Sequence, residues 1–148
     1  MKIIALNKRA AFEYFLLEKY EAGVVLTGSE VKSVRAASVS ITEAFVFFKN
    51  GEAYINNMYV KTYENTSSSK QDERRERKLL LNKEEIVKLK SKAAEKGFTV
   101  VPTKLYLKDG LVKLEIALAK GKLLHDKRET IKKRDNEREA KREIKDKK

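Results

Sequence analysis

At 148 residues the chain has the length of one ordinary domain, enough to bury a single core but not two large ones. Its 34 Lys/Arg against 22 Asp/Glu give +12, a charge that gathers polyanions, nucleic acid ahead of an anionic membrane, while saying nothing about fold. Cysteine is absent and histidine occurs once, which excludes disulfides and the usual Cys/His zinc and iron-sulfur sites, so no metal or cofactor is expected.

The Ile3-Ile4-Ala5-Leu6 run is cut off by Asn7-Lys8-Arg9 and is too brief for a signal-peptide core. No stretch approaches the roughly 18 apolar residues that cross a bilayer, so a soluble cytoplasmic protein with no membrane partner is expected. Phe12 to Leu17 and Ala22 to Leu26 read as strands. After Thr27-Gly28-Ser29 a short helix is predicted, with Val31 and Val34 at helical spacing and Lys32 and Arg35 beside them. Asn50-Gly51 and Asp109-Gly110 are tight-hairpin signals between runs rich in β-branched and aromatic residues. The first joins Ile41–Lys49 to Glu52–Val60, and the second joins Phe98–Lys108 to Leu111–Ala119. Val112, Leu114, Ile116 and Leu118 alternate with Lys113, Glu115 and Ala117, the pattern of a strand with one wet face. Between the hairpins, Glu64 to Arg77 is polar and reads as a mobile loop. Asn82 then caps a helix with Glu84 and Glu85 in its first turn, Ile86, Leu89 and Ala93 as its apolar stripe and Gly97 as its stop.

From Lys120 the composition changes to 13 Lys/Arg against 7 Asp/Glu, half of the net charge, with too few apolar residues for a core-facing stripe. The expectation is a mainly β (α+β) body over residues 1–120, a closed or nearly closed six-stranded antiparallel barrel of oligonucleotide-binding type with two to three helices. Residues 121–148 form a basic tail, loose alone and helical on a polyanion.

Catalysis has little to work with. A nucleophilic triad would need His125, which falls in the tail, and the six glycines stand singly, so no phosphate-cradling loop exists. A carboxylate pair would have to come from Glu13, Glu18, Glu21 and Glu30. Binding is therefore expected rather than enzyme activity. Lys8 and Arg9, and Lys32 with Arg35, suit phosphate but equally suit a solvated face. Glu21 can accept from an exocyclic base amine or serve as an ordinary turn glutamate. Arg74, Arg75, Arg77 and Lys78 flank the loop and suit phosphate in the same way. In Lys120-Gly121-Lys122 the glycine frees the backbone to approach a phosphate, or simply makes the turn. His125-Asp126-Lys127-Arg128 joins a stacking ring to two cations. A general single-strand binder would instead need open aromatics, with Tyr54, Tyr59, Tyr63 and Tyr106 as candidates.

Asn7-Lys8-Arg9-Ala10, Tyr14-Phe15, Glu21-Ala22-Gly23, Glu30-Val31-Lys32-Ser33, Arg77-Lys78-Leu79-Leu80-Leu81, Leu105-Tyr106, Ala119-Lys120-Gly121-Lys122 and Asp126-Lys127-Arg128-Glu129 occur in this order. Together they resemble the SsrA-binding protein family, also called small protein B, from about Ile4 to Arg142. The resemblance implies a barrel that binds the tRNA-like domain of transfer-messenger RNA and enters stalled ribosomes with it as a monomer on the RNA. It implies that Asn7, Lys8, Glu21, Leu80, Asn82 and Lys113 lie on or support the RNA surface. Arg9, Lys32, Arg35 and Lys120 are grouped with them on charge and place. Gly121, His125, Asp126, Lys127 and Arg128 would serve the decoding region of the small-subunit rRNA. Lys122, Lys132, Lys133 and Arg134 are assigned with them to the tail that follows the message channel. Three features depart from the family: Ser69-Lys70-Gln71-Asp72-Glu73 lacks its usual His and Pro, Ala37 stands where it favours glycine, and Ser40 with Glu43-Ala44-Phe45 replaces Asn and Asp-Ser-Tyr.

Overall fold

The computed structural model describes residues 1–62, 73–123 and Arg128. Chain order is β1 (Lys2–Leu6), α1 (Lys8–Glu13), β2 (Tyr14–Val24), α2 (Gly28–Arg35), β3 (Val39–Ser40), β4 (Phe45–Lys49), β5 (Glu52–Asn56), β6 (Tyr59–Val60), β7 (Arg77–Leu80), α3 (Lys83–Ala93), β8 (Phe98–Lys108) and β9 (Leu111–Gly121). Antiparallel pairings run β8-β4-β5-β7-β2-β9 and return from β9 to β8, closing a ring of six strands, with β1 added along β8. A small β3-β6 pair stands apart from the ring.

Both hairpin turns are as expected. Asn50 and Gly51 sit at φ 52° and 75°, Asp109 and Gly110 at 52° and 78°, the paired left-handed residues of a turn whose twist matches the strands. α3 is also where the sequence puts it: Ile86 and Leu89 enter the core, and the Asn82 N–H donates to Glu85 Oε1 at 3.1 Å. α2 starts on a reciprocal cap. The Thr27 N–H donates to Glu30 Oε1 at 2.9 Å, and the Glu30 N–H donates to Thr27 Oγ1 at 3.3 Å.

The ring has six strands, but not the six expected. Tyr14–Leu17 and Ala22–Val24 fall in one strand, β2, while Phe12 and Glu13 end the unexpected α1 and Val25 and Leu26 follow the strand. The charged stretch between them hides the continuity. Glu18 lies on the same side of β2 as Tyr20 and Ala22, where it accepts from the Tyr20 hydroxyl at 2.7 Å and is bound by Lys92 and, at 3.8 Å, by Lys88 of α3. The expected loop ran to Arg77, but Arg77 is buried and opens strand β7, in which Leu79 is buried as well. Of that expected loop, residues 64–72 lie outside the described residues. Ile41–Lys49 divides into buried Ile41, a turn and β4, and Glu52–Val60 divides into β5 and β6.

The ring interior holds Ile55, Leu79, Leu105, Leu114 and Ile116, joined by Leu89 from α3 and Val34 from α2. Each fully buried Leu or Ile contributes about 1.5–3 kcal/mol. A second, smaller apolar cluster lies outside the ring, where Ala10 of α1 meets Val101 and Ala119 with Tyr14 and Leu16 alongside. The expected wet face of β9 is therefore dry at Ala117 and Ala119, both fully buried. None of the described helices is long and apolar enough to cross a membrane.

Candidate RNA-binding surface

Strand register gathers the central residues. Gly23 of β2 faces Lys113 of β9 on one side and Leu80 of β7 on the other. A Cβ at Gly23 would stand 3.2 Å from the Leu80 Cβ, so glycine is what lets β7 come this close. Glu21, Leu80, Asn82 and Lys113 then share one open cleft with Lys78 and Glu52. Leu80 is 55% exposed there, a large apolar side chain left uncovered beside cations. Four of the expected site residues, far apart in sequence, are thus brought together.

Glu21 is held on one side. The Tyr106 hydroxyl donates to Glu21 Oε2 at 2.5 Å, and Lys108 Nζ stands 3.5 Å from the same oxygen. The hydrogen bond from Tyr106, with the charges of Lys108 and Lys113, keeps the Glu21 carboxyl below the usual range, so it is an acceptor at neutral pH. Burial, followed by the bond to Glu21, raises the Tyr106 phenol well above its ordinary value, so it remains a donor. Sequence reading offered Tyr106 only as a stacking ring. It is 4% exposed and its hydroxyl is already committed.

Asn7 is buried and bonded internally. Its Nδ2 donates to the Pro102 carbonyl at 2.8 Å, its Oδ1 accepts from the Ala10 N–H at 3.1 Å, and the residue is 7% exposed. Lys8 is exposed on α1, while Arg9 pairs with Glu13 at 2.8 Å across one helical turn. Arg9, with Glu13, Tyr14, Thr42, Phe45 and Asn57, lines a second cleft. Lys32 and Arg35 are exposed on α2 and line neither cleft.

At the end of β9 the basic residues stand over rings. Lys120 Nζ lies 5.9 Å from the Phe98 ring centre and Lys122 Nζ 5.2 Å from that of Phe15. The Lys122 amine donates to the Ala11 carbonyl at 3.1 Å and its backbone N–H to the Glu13 carbonyl at 2.9 Å, while the Gly121 N–H donates to the Gly97 carbonyl. The root of the tail is thereby tied to α1 and to the turn before β8. Arg128 is exposed. His125, Asp126, Lys127, Lys132, Lys133 and Arg134 lie outside the described residues, as does Tyr63.

Of the cations beside the loop, Arg75 and Arg77 both pair with Glu30. Arg77, 1% exposed, donates through Nε to Glu30 Oε2 at 2.7 Å and through Nη1 to the Met58 carbonyl at 2.7 Å, and Arg75 Nη2 meets Glu30 Oε1 at 2.5 Å. Burial pushes the Glu30 carboxyl up, but the hydrogen bonds from Arg75, the Thr27 N–H and Arg77 outweigh it and hold it below its usual value. Arg74 lies over the Tyr59 ring at 5.4 Å, and Tyr54 stacks on Phe47 at 5.6 Å. The four carboxylates that might have formed a catalytic pair go separate ways: Glu13 to Arg9, Glu18 to Lys88 and Lys92, Glu21 to Tyr106, and Glu30 to Arg75 and Arg77.

The closed ring of strands thus carries an open cleft in which Lys78 and Lys113 stand with Glu21, Glu52, Glu85 and the exposed Leu80, a candidate binding surface. The chain belongs to the SmpB protein family, whose model matches residues 4–146. It is 54% identical to the SsrA-binding protein of Persephonella marina, over 99% of this chain and 97% of that one. It is equally identical to that of Mycoplasma mycoides subsp. mycoides, over 92% and 93%. Among solved structures it is similar to a chain described with tmRNA-SmpB in the bacterial ribosome, at 44% identity and a TM-score of 0.67, covering 85% of this chain and 92% of that one.

Proposed function

We propose that this chain binds the tRNA-like domain of transfer-messenger RNA and carries it to stalled ribosomes for rescue and tagging of incomplete proteins. The observation that carries this reading is the cleft that unites Glu21, Leu80, Asn82 and Lys113 in a chain of this family. Lys78 and Lys113 suit phosphate, Glu21 suits a donor group, and exposed Leu80 suits the flat face of a base or sugar. The protein makes no bond itself and acts in the cytoplasm as a monomer on the RNA. Residues 1–120 are the RNA-binding body. Residues 121–148 are the tail that tests whether the decoding region and message channel are vacant, with Gly121, His125, Asp126, Lys127 and Arg128 at the decoding region. A tail that gains order only on an empty channel loses some affinity and gains conditionality.

Gel-shift titration with the isolated tRNA-like domain tests the body. Binding much tighter than to an unrelated folded RNA of equal length is expected; equal affinity, or a preference for unstructured oligonucleotides, would defeat the reading. Ending the chain after Gly121 is expected to spare that binding and abolish tagging in a reconstituted stalled-translation assay.

A further inference from the structure

Glu21 stands on β2 near Lys108 and Lys113, where the lysines draw in a phosphate backbone that the carboxylate itself repels. What Glu21 can bind is a hydrogen-bond donor on the RNA. A glutamate on an open strand ordinarily samples several rotamers, and fixing one on binding lowers affinity. Here the choice is already made. Tyr106 pairs with Lys113 across the β8-β9 ladder, Lys113 pairs with Gly23, and Glu21 pairs with Glu115 on the next row of that face. The phenol therefore reaches diagonally over β9, from one strand of the ring to the strand two places away. Its ring is buried beneath Lys104, whose Nζ is 5.7 Å from the ring centre and 3.9 Å from Glu115 Oε1. Among the described residues the contacts of Tyr106 and Lys108 both fall on Glu21 Oε2, leaving Oε1 for an incoming donor.

We propose that Tyr106 is a positioning residue for RNA binding: its buried hydroxyl presets Glu21 as an acceptor aimed into the cleft. This rests on the reading that the cleft binds RNA. The low-lying Glu21 carboxyl and the raised Tyr106 phenol agree with it but add no new geometry.

The test uses the full chain with Tyr106→Phe, Glu21→Ala and the double variant, and two readouts. In the RNA-free protein, a carbon-13 titration of the Glu21 side-chain carboxyl is expected to show a higher pKa in Tyr106→Phe; an unchanged pKa overturns the proposal. With the tRNA-like domain, Tyr106→Phe is expected to weaken binding about fivefold in the natural background and not at all on Glu21→Ala, which leaves no acceptor for the hydroxyl to set. The same fivefold loss on Glu21→Ala would show a structural effect unrelated to Glu21 and also overturn it. If the unmodified chain shows no preference for the tRNA-like domain, the functional reading fails, while the RNA-free titration still decides whether Tyr106 sets Glu21.

Discussion

Ala37 occupies a position that glycine would fill more easily. It follows α2 at φ 58°, with its N–H bonded to the Val34 carbonyl and the Ser38 N–H bonded to the Ser33 carbonyl, each at 2.9 Å, which is a helix stop built on a left-handed residue. An L side chain there costs roughly 1–2 kcal/mol, partly offset because glycine loses more entropy on folding. Ala37→Gly is expected to raise stability by about 0.5–1 kcal/mol, read as the midpoint of urea unfolding at unchanged slope. The departure from the family was visible in the sequence; that the backbone keeps a glycine-type turn regardless was not, because the hydrogen bonds enforcing it depend on where α2 ends. The same holds for Asn7 and Tyr106. Both lie in strings that resemble the family, but their partners are Pro102, 95 residues on, and Glu21, 85 residues back. Spacing along the chain carries no sign of such pairs.

The Glu30 clamp joins the first turn of α2 to the first residue of β7, and through Arg77 to the Met58 carbonyl beside β6. Glu30→Gln leaves the Arg77 guanidinium buried without its counter-charge and is expected to cost about 3–5 kcal/mol. Because the folded Glu30 carboxyl lies below its unfolded value of about 4.3, the clamp contributes fully above that pH and fades as pH falls through the lower folded value. Melting temperatures from pH 7 down to 3 should therefore fall less steeply for Glu30→Gln than for the natural chain, and parallel curves would remove the clamp from the acid response. Elements defined by their own local chemistry, the two hairpins, α2 and α3, were legible in advance. β7 was not, since its first residue is a buried arginine whose counter-ion is 47 positions away. The central break assumed in β2 had the same origin, a charged residue, Glu18, whose cations come from α3.

At the scale of the molecule the charge is divided, half in the body and half from Lys120 onward. Binding to the tRNA-like domain should lose affinity with salt at the same logarithmic slope whether or not the residues after Gly121 are present, while binding to the ribosomal small subunit should become less salt-dependent without them. Nitrocellulose-filter titrations across a salt series would measure both slopes, and a tail-dependent slope with the tRNA-like domain would contradict the division. The ring itself is unevenly stitched. β8, β9 and β2 are paired along most of their lengths, but β2 meets β7 only at Gly23 and Val24, and β4 meets β8 only at Val46. Like a cask with two loose staves, such a ring is expected to open first at its narrow joints, with amides there exchanging into deuterated solvent before those of the β8-β9-β2 wall. The cleft straddles one of those joints, with Glu21 and Lys113 on the wall and Leu80 and Asn82 across it. A ligand gripping both sides acts as a splint, so its binding energy is also spent holding the ring shut.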